Sequence, residues 1–416
     1  MGGAYPIIQE RSVGGMTEHL QIYEMDNPIQ HYAWGSLTAI AELMGNNEPS
    51  EQPQAEIWMG AHPKAPSRIR YGGAWHRLDH LIERHPQTFL GTNTIDHFGY
   101  RLPFLLKILA VAQPLSLQAH PNATQAKKGY AYENEQNISL SADHRNYKDD
   151  RHKPECICAL TPFRGLCGFR GIEEMLRLAE SVWPDSYQSS VDLLKEQGIK
   201  PFFEHLMTLP ADRCADLVAR TTKRITMVRH KATEFVWILR LQERYPGDIG
   251  VLSPLLLNLI ELKPGQSLFL DAGQLHAYLD GVGVELMANS DNVLRGGLTP
   301  KHVDVSELLN ILNFSPMSVD IQEPQATDGS ESHYMSPVDD FRLSVIEVRP
   351  SMPHVCHDRP GRPEILLCIN SPNGIQCRSG LEEMILHQGR SLFVAATVPG
   401  YELHGSGTAI KASVNI

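Results

Sequence analysis

The sequence predicts a mainly β chain, two barrels of related design with an all-helical block inserted into the first. Three observations carry this. Residues 20–165 are rich in Gly and Pro, with short apolar segments bounded by turn signals. Between Gly171 and Gly250 apolar residues recur at helical spacing instead, and after Pro254 the strand pattern returns. A helical block between two β stretches reads as an insertion, not as βαβ winding. Finally, Gly265-Gln-Ser-Leu-Phe-Leu270 is echoed by Gly389-Arg-Ser-Leu-Phe-Val394, each late in a β-rich region, as two related barrels would give.

Taken along the chain, 416 residues suggest two or three domains. Residues 1–16 lack the long apolar core of a signal peptide and read as an extension, with Met16 an alternative start. Residues 17–168 and 251–320 form the first β domain, 169–250 the helical insertion and 321–416 the second β domain. In the first domain, 105–112, 115–119 and 155–160 read as strands. In the insertion Ile172, Met175, Leu176 and Ala179 share a helix face, as do Phe235, Ile238 and Leu239, while Pro184, Pro201 and Pro210 divide the block into several helices. Beyond a polar loop at 323–335, Phe341-Arg-Leu-Ser-Val345 alternates as a strand does, and 365–369 and 391–394 are further strands.

A net charge of −11 without a Lys/Arg stripe argues against nucleic acid or an acidic membrane surface as partner. An anionic ligand must then be met by a few local cations. Seven cysteines without paired spacing fit a reducing, cytoplasmic location and read as buried structural thiols; Cys156-x-Cys158 has the wrong spacing for a zinc ribbon. The apolar runs 103–115 and 255–260 are too short or interrupted to span a bilayer. The expected partner is a small molecule, and the expected state a monomer or weak homo-oligomer.

Four elements carry chemistry. In Pro114-Leu-Ser-Leu-Gln-Ala-His-Pro121, Ser116, Gln118 and His120 project to one side of a strand that Pro121 ends. Glu155 opens an apolar strand just after the charged run Tyr147–Pro154, and a carboxylate there wants a metal or a cation such as Lys153. His276 follows a Gly turn. Gln118, His120, Glu155 and His276 together supply two imidazoles, a carboxylate and an amide oxygen, a set that suits zinc and non-haem iron alike. Taken singly, each has a plainer reading: a wet strand end, a Lys–Glu pair, a core histidine. The fourth element, 285–301, is a turn-rich loop with Arg295 and Lys301 as isolated cations, suited to a phosphate or an enediolate, or else an ordinary surface loop.

Gln118-Ala-His-Pro121, His152-Lys-Pro-Glu155, the histidine within 273–278 and Ser290-Asp-Asn-Val-Leu-Arg-Gly-Gly-Leu-Thr-Pro-Lys301 closely resemble type I mannose-6-phosphate isomerases. Tyr32-Ala-Trp-Gly-Ser36 and 55–64 are similar to the same family, so the likeness runs from about Asn27 to Lys301, with a looser C-terminal continuation. The resemblance implies cupin jelly-roll barrels with an inserted α-helical domain. It implies one zinc ion per subunit and interconversion of mannose 6-phosphate and fructose 6-phosphate through an enediol, feeding mannose and GDP-mannose metabolism. It places the metal ligands on Gln118, His120, Glu155 and His276, and catalytic roles on Arg295, Lys153, Glu285 and Asp291. Substrate binding falls on Lys107, Ser116 and Lys301. Two positions depart from the family pattern: Arg151 stands where Asn is common, and Ala33 where Asp is. An iron cupin dioxygenase would use the same His, His and Glu without needing phosphate-directed cations. A non-enzymatic sugar-binding cupin typically loses its ligands.

Overall fold

The computed structural model describes residues 22–46, 48–327, 329–357, 359 and 361–416; the extension expected at 1–16 lies outside them. The chain is β-rich with a helical region, as the sequence predicts. An eleven-stranded antiparallel sheet runs through Ile321–Gln322, Ser267–Leu270, Glu155–Ala159, His276–Ala288, Phe104–Val111, Glu56–Gly60 and Ile29–Gln30. Strand His276–Ala288 is long because it serves two sets of neighbours. Its first residues pair with Leu117–Ala119 and Phe163–Phe169, and its second half with Phe104–Val111 and Glu155–Ala159. The changeover falls at Gly281, where φ is +119° and a Cβ would come within 2.7 Å of the Pro162 carbonyl, so only glycine lets the strand cross there.

Phe104–Val111 is buried at every residue and reads as a continuous apolar run broken only by Lys107. A strand covered on both faces gives that pattern, and it makes the buried lysine the residue to explain.

Helices Ile172–Ala179, Gln188–Gln197, Ile199–Met207, Ala211–Val228 and Thr233–Arg244 form the helical region. Each buries one stripe; in Ile199–Met207 it is Ile199, Phe202, Phe203 and Leu206. Pro201 lies in the first turn of that helix, where no intrahelical donor is lost. These stripes join Leu117, Leu275, Ala277 and Leu294 in one apolar cluster, so the helices pack onto the strands that carry Gln118, His276 and Arg295.

Among the described residues, four helices stand in the stretch read from sequence as strands and loops: Ala39–Leu43, Leu78–Arg84, Pro86–Phe98 and Ala123–Glu135. The last buries only Ala126 and Glu133, so it has no apolar period to read. Its signal is the capping box of Asn122 with Gln125. Pro86–Phe98 is kinked at Gly91 (φ 75°, ψ 160°), a region open only to glycine, and a Cβ there would lie 2.2 Å from the Gly361 carbonyl oxygen. That contact seats the helix on the C-terminal part of the chain.

A nine-stranded sheet holds the expected C-terminal strands as Arg342–Val348, Glu364–Asn370 and Ser391–Val394. It also takes in Ile22–Asp26, which pairs with Ser391–Val394 across the length of the chain. A four-stranded sheet, His354–Cys356, Tyr401–Gly405, Ile375–Ser379 and Glu382–Leu386, completes this part. Of the seven thiols, five are buried, while Cys214 and Cys356 are half-buried, short of the full burial expected for all. Burial pushes Cys156 up to about 12 and Cys158 up to about 11, leaving them un-ionised and inert. No helix among the described residues is long and apolar enough to cross a membrane.

Candidate active site

Three of the four expected ligands, His120, Glu155 and His276, come together in the eleven-stranded sheet, and Gln118 stands opposite His276 on the neighbouring strand. Glu155 opens its strand opposite Leu270 on one side and Met287 on the other, which leaves its side chain buried at the sheet's centre. His276 opens the long strand and pairs with Gln118, while Arg295 pairs with Gln118 from the other side. The strand pairing therefore lines up His276, Gln118 and Arg295 across three neighbouring strands. His120 lies two residues beyond Gln118.

Nε2 of His120 lies 3.2 Å from Oε1 of Glu155, and Nε2 of His276 lies 3.4 Å from Oε2. One ligand atom from each of the three falls within 4.8 Å of the others. The other ring nitrogens are spoken for. Nδ1 of His120 donates to the Asn292 carbonyl at 2.7 Å, and Nδ1 of His276 to the Gln274 carbonyl at 2.9 Å. Those bonds fix the tautomers so that both Nε2 lone pairs face the carboxylate. Nε2 of His120 is buried, with no hydrogen-bond partner among the described residues. Burial and the charge of Lys153 push that imidazole down to about 4, so it is neutral at physiological pH, as a metal ligand must be. Two inward imidazole lone pairs, one of them on a buried nitrogen, and a carboxylate are a donor set that suits a divalent cation. The Gln118 amide donates from Nε2 to Ser116 Oγ at 3.2 Å, which frees its carbonyl oxygen.

Burial would raise Glu155, but the charge of Lys153 holds its carboxyl well below the usual range. Lys153 Nζ sits 2.9 Å from Oε1, so the Lys–Glu pair and the ligand cluster both exist, on the same carboxylate.

Beside this cluster lies a second buried group. Lys107 Nζ bonds Oε2 of Glu285 at 3.0 Å and lies 3.7 Å from Oε2 of Glu56, with the Trp58 ring 5.3 Å away. Its ammonium is spent on two carboxylates inside the protein, which is a different setting from the phosphate contact the resemblance implies. Glu285 is pushed up by burial, with Lys107 opposing and Glu155 adding to the rise. The Tyr278 hydroxyl, two residues along from His276, is buried near Glu285 and Glu155, and burial pushes it well above the usual tyrosine range.

At the rim, Asp291 pairs with Lys64 at 2.9 Å and with His62 at 3.4 Å. Against the effect of burial, these partners hold its carboxyl well below the usual range. Arg295 is half-buried, and no hydrogen bond or ion pair is found for its guanidinium among the described residues. Burial lowers Lys301, and the charges of Arg295 and Lys64 lower it further. Cations that press on one another are arranged for an anion that is brought to them.

Sequence reasoning missed Glu56, Tyr278 and above all Asn292, which no solvent reaches. The Asn292 side chain accepts from the Lys148 and Asp149 amides at 2.7 and 3.2 Å and donates to the Asp149 and Arg151 carbonyls at 2.8 Å each. Its own carbonyl holds His120. It thus ties the loop that delivers Lys153 and Glu155 to the imidazole they meet. Asn292→Ala is expected to weaken metal binding by roughly 10- to 100-fold. Competition against a chromogenic chelator measures this, and unchanged affinity would remove Asn292 from the site's support.

The model of the type I phosphomannose isomerase catalytic domain matches residues 22–172. Mannose-6-phosphate isomerases from Shigella flexneri and Escherichia coli K12 are each 38% identical over 398 residues, covering 92% of this chain and 96% of theirs. The human protein of that name is 34% identical over 366 residues, covering 79% and 82%. Among solved structures, a zinc-bound mannose 6-phosphate isomerase superposes with a TM-score of 0.86 at 35% identity, covering 95% of this chain and all of the other. The Salmonella typhimurium enzyme with substrate f6p and zinc gives the same TM-score, identity and coverage.

Proposed function

The chain belongs to the type I mannose-6-phosphate isomerases, and from that premise we propose how its residues interconvert mannose 6-phosphate and fructose 6-phosphate. The observation that carries the reading is the inward-facing set His120, Glu155 and His276, with Arg295, unpaired among the described residues, two strands from His276. These three residues and the Gln118 amide oxygen would hold the zinc ion, which supplies Lewis acidity to the sugar oxygens when bound. One carboxylate and three neutral ligands leave such a site net positive, which suits a negatively charged intermediate.

Once the ring is open, the reaction moves a proton between C2 and C1. Glu285, its proton affinity raised by burial, takes the proton from C2 and returns it to C1. Lys107 stays on Glu285 and Glu56 to hold that carboxylate in place. Asp291, kept ionised by Lys64 and His62, is a poor base and serves to position those two. Arg295 meets the oxygen of the enediolate, and Lys153 exchanges protons at the neighbouring hydroxyl. Ser116 and Lys301 hold the phosphate, so that binding energy far from the carbons aligns them.

On this reading the catalytic domain comprises 17–168 with 251–320, and the product pair connects hexose phosphates with mannosyl donors such as GDP-mannose. The test is a coupled isomerase assay on metal-stripped protein. Turnover of mannose 6-phosphate should be absent and should return on adding zinc; no return would overturn the assignment.

A further inference from the structure

The repeat Gly-x-Ser-Leu-Phe-apolar is not absorbed by the active site, and the strand pairings show how far it extends. In the first copy Leu270 faces Glu155 and Ser267 faces Cys158; in the second Val394 faces Glu364 and Ser391 faces Leu367. The register is the same residue for residue, and each glutamate follows a cation and a proline, Lys153-Pro-Glu155 and Arg362-Pro-Glu364.

The correspondence continues across the neighbouring strands. Glu155 lies opposite Met287, and the residue two along, Ile157, opposite Glu285. Glu364 lies opposite Ser413, and Leu366 opposite Lys411. One strand further, Glu285 faces Lys107 where Lys411 faces Ser344. At the next strand Glu56 faces Leu109 as Glu331 faces Ile346. Gln118 faces His276, and Cys356 faces Tyr401. Glu364, Lys411, Glu331 and Tyr401 thus stand where Glu155, Glu285, Glu56 and His276 stand in the first sheet.

The two centres differ in what meets the central carboxylate. Glu155 faces two imidazole nitrogens whose lone pairs point inward. Oε2 of Glu364 accepts from the Tyr401 hydroxyl at 2.9 Å and lies 3.4 Å from Nε of Arg359, whose side chain is fully enclosed. The guanidinium is clamped in turn by the carbonyls of Ala395, Val398 and Arg362 at 3.0, 2.9 and 2.6 Å. A hydroxyl and a guanidinium offer protons where imidazoles offer lone pairs, so this set neutralises the carboxylate, and among the described residues no group of three His, Cys, Asp or Glu ligand atoms gathers around it.

We infer that the C-terminal sheet is a second copy of the metal-holding strand set, in which the guanidinium of Arg359 takes the place of the metal ion against Glu364. The chain therefore binds zinc at one centre and fills the other with its own side chain. The inner charges have moved accordingly. Lys107, held between two glutamates in the first copy, has its counterpart one strand over in Lys411, which meets Glu331 at 2.7 Å.

The test combines metal analysis with a double-mutant cycle. Zinc-loaded wild-type protein should contain one ion per chain. Glu364→Gln and Arg359→Met should each lower Tm by about 5 °C or more, since either leaves a buried charge without its partner. Neither should alter zinc content or move kcat by more than about twofold. The double variant should recover most of what the worse single loses, because a buried pair removed together leaves no orphaned charge. Additive losses, or a second zinc ion in the wild type that Glu364→Gln removes, would overturn the inference. Where a single variant does not fold, the double variant is set against the wild type: near-native stability supports the pairing, and a double variant that also fails contradicts it.

Discussion

Arg295→Ala is expected to lower kcat by roughly 100- to 1000-fold, the range seen when a preorganised donor to a developing oxyanion is removed. KM for mannose 6-phosphate should rise by about tenfold at most. The split follows from where the residue sits. Arg295 pairs in register with Gln118, which pairs with His276, so the guanidinium projects from the strand beside the ligand set. No carboxylate of the described residues is paired with it, so its charge is available to the substrate. The negative charge it would meet forms only at the enediolate, which makes the interaction one of the transition state. Lys301 and Ser116 remain to bind the phosphate in the variant. Steady-state kinetics in both directions measure the effect, and Arg295→Lys should recover only part of it, because an ammonium cannot reproduce the planar fork. Unchanged kcat with a KM raised by the same factor in each direction would assign Arg295 to ground-state binding.

The sequence made the ligand types legible because period-two spacing places Gln118 and His120 on one side and because Glu155 leads an apolar strand. It did not show that these segments meet. That depends on a pairing such as His276 with Gln118, far apart in the chain, and on the bend at Gly281 that lets one strand serve both halves of the sheet. The same holds for Ile22–Asp26. Nothing local says that an N-terminal strand will pair with 391–394. Helices 123–135 and 86–98 were hidden for another reason, since one buries almost no periodic apolar face and the other is broken by Gly91. Lys107 shows the limit for single residues. The resemblance implies a substrate contact for Lys107, and only the fold reveals the two carboxylates that enclose it.

Glu155→Gln tests the centre most directly, because it keeps the shape and removes the one negative ligand. Losing a residue that merely supports a metal ligand costs about 10- to 100-fold in affinity, so losing the carboxylate itself should exceed about 100-fold. The loss has a second source in this chain. Lys153 Nζ lies 2.9 Å from Oε1 in a mostly buried setting, so its ammonium would be left beside the metal place with no counter-charge and would repel a divalent cation. Dialysed Glu155→Gln protein should therefore carry little zinc by elemental analysis and turn over at less than about a thousandth of the wild-type rate. Added zinc should raise the Tm of the wild type by mass action and leave that of the variant nearly unmoved, which separates lost binding from lost folding. Pairing the change with Lys153→Met removes the repulsion and should restore part of the affinity without restoring turnover, since the proposed proton exchange at the sugar hydroxyl needs Lys153. A Glu155→Gln variant that kept a full zinc ion and isomerase activity would show that the two imidazoles and the Gln118 amide hold the metal without it.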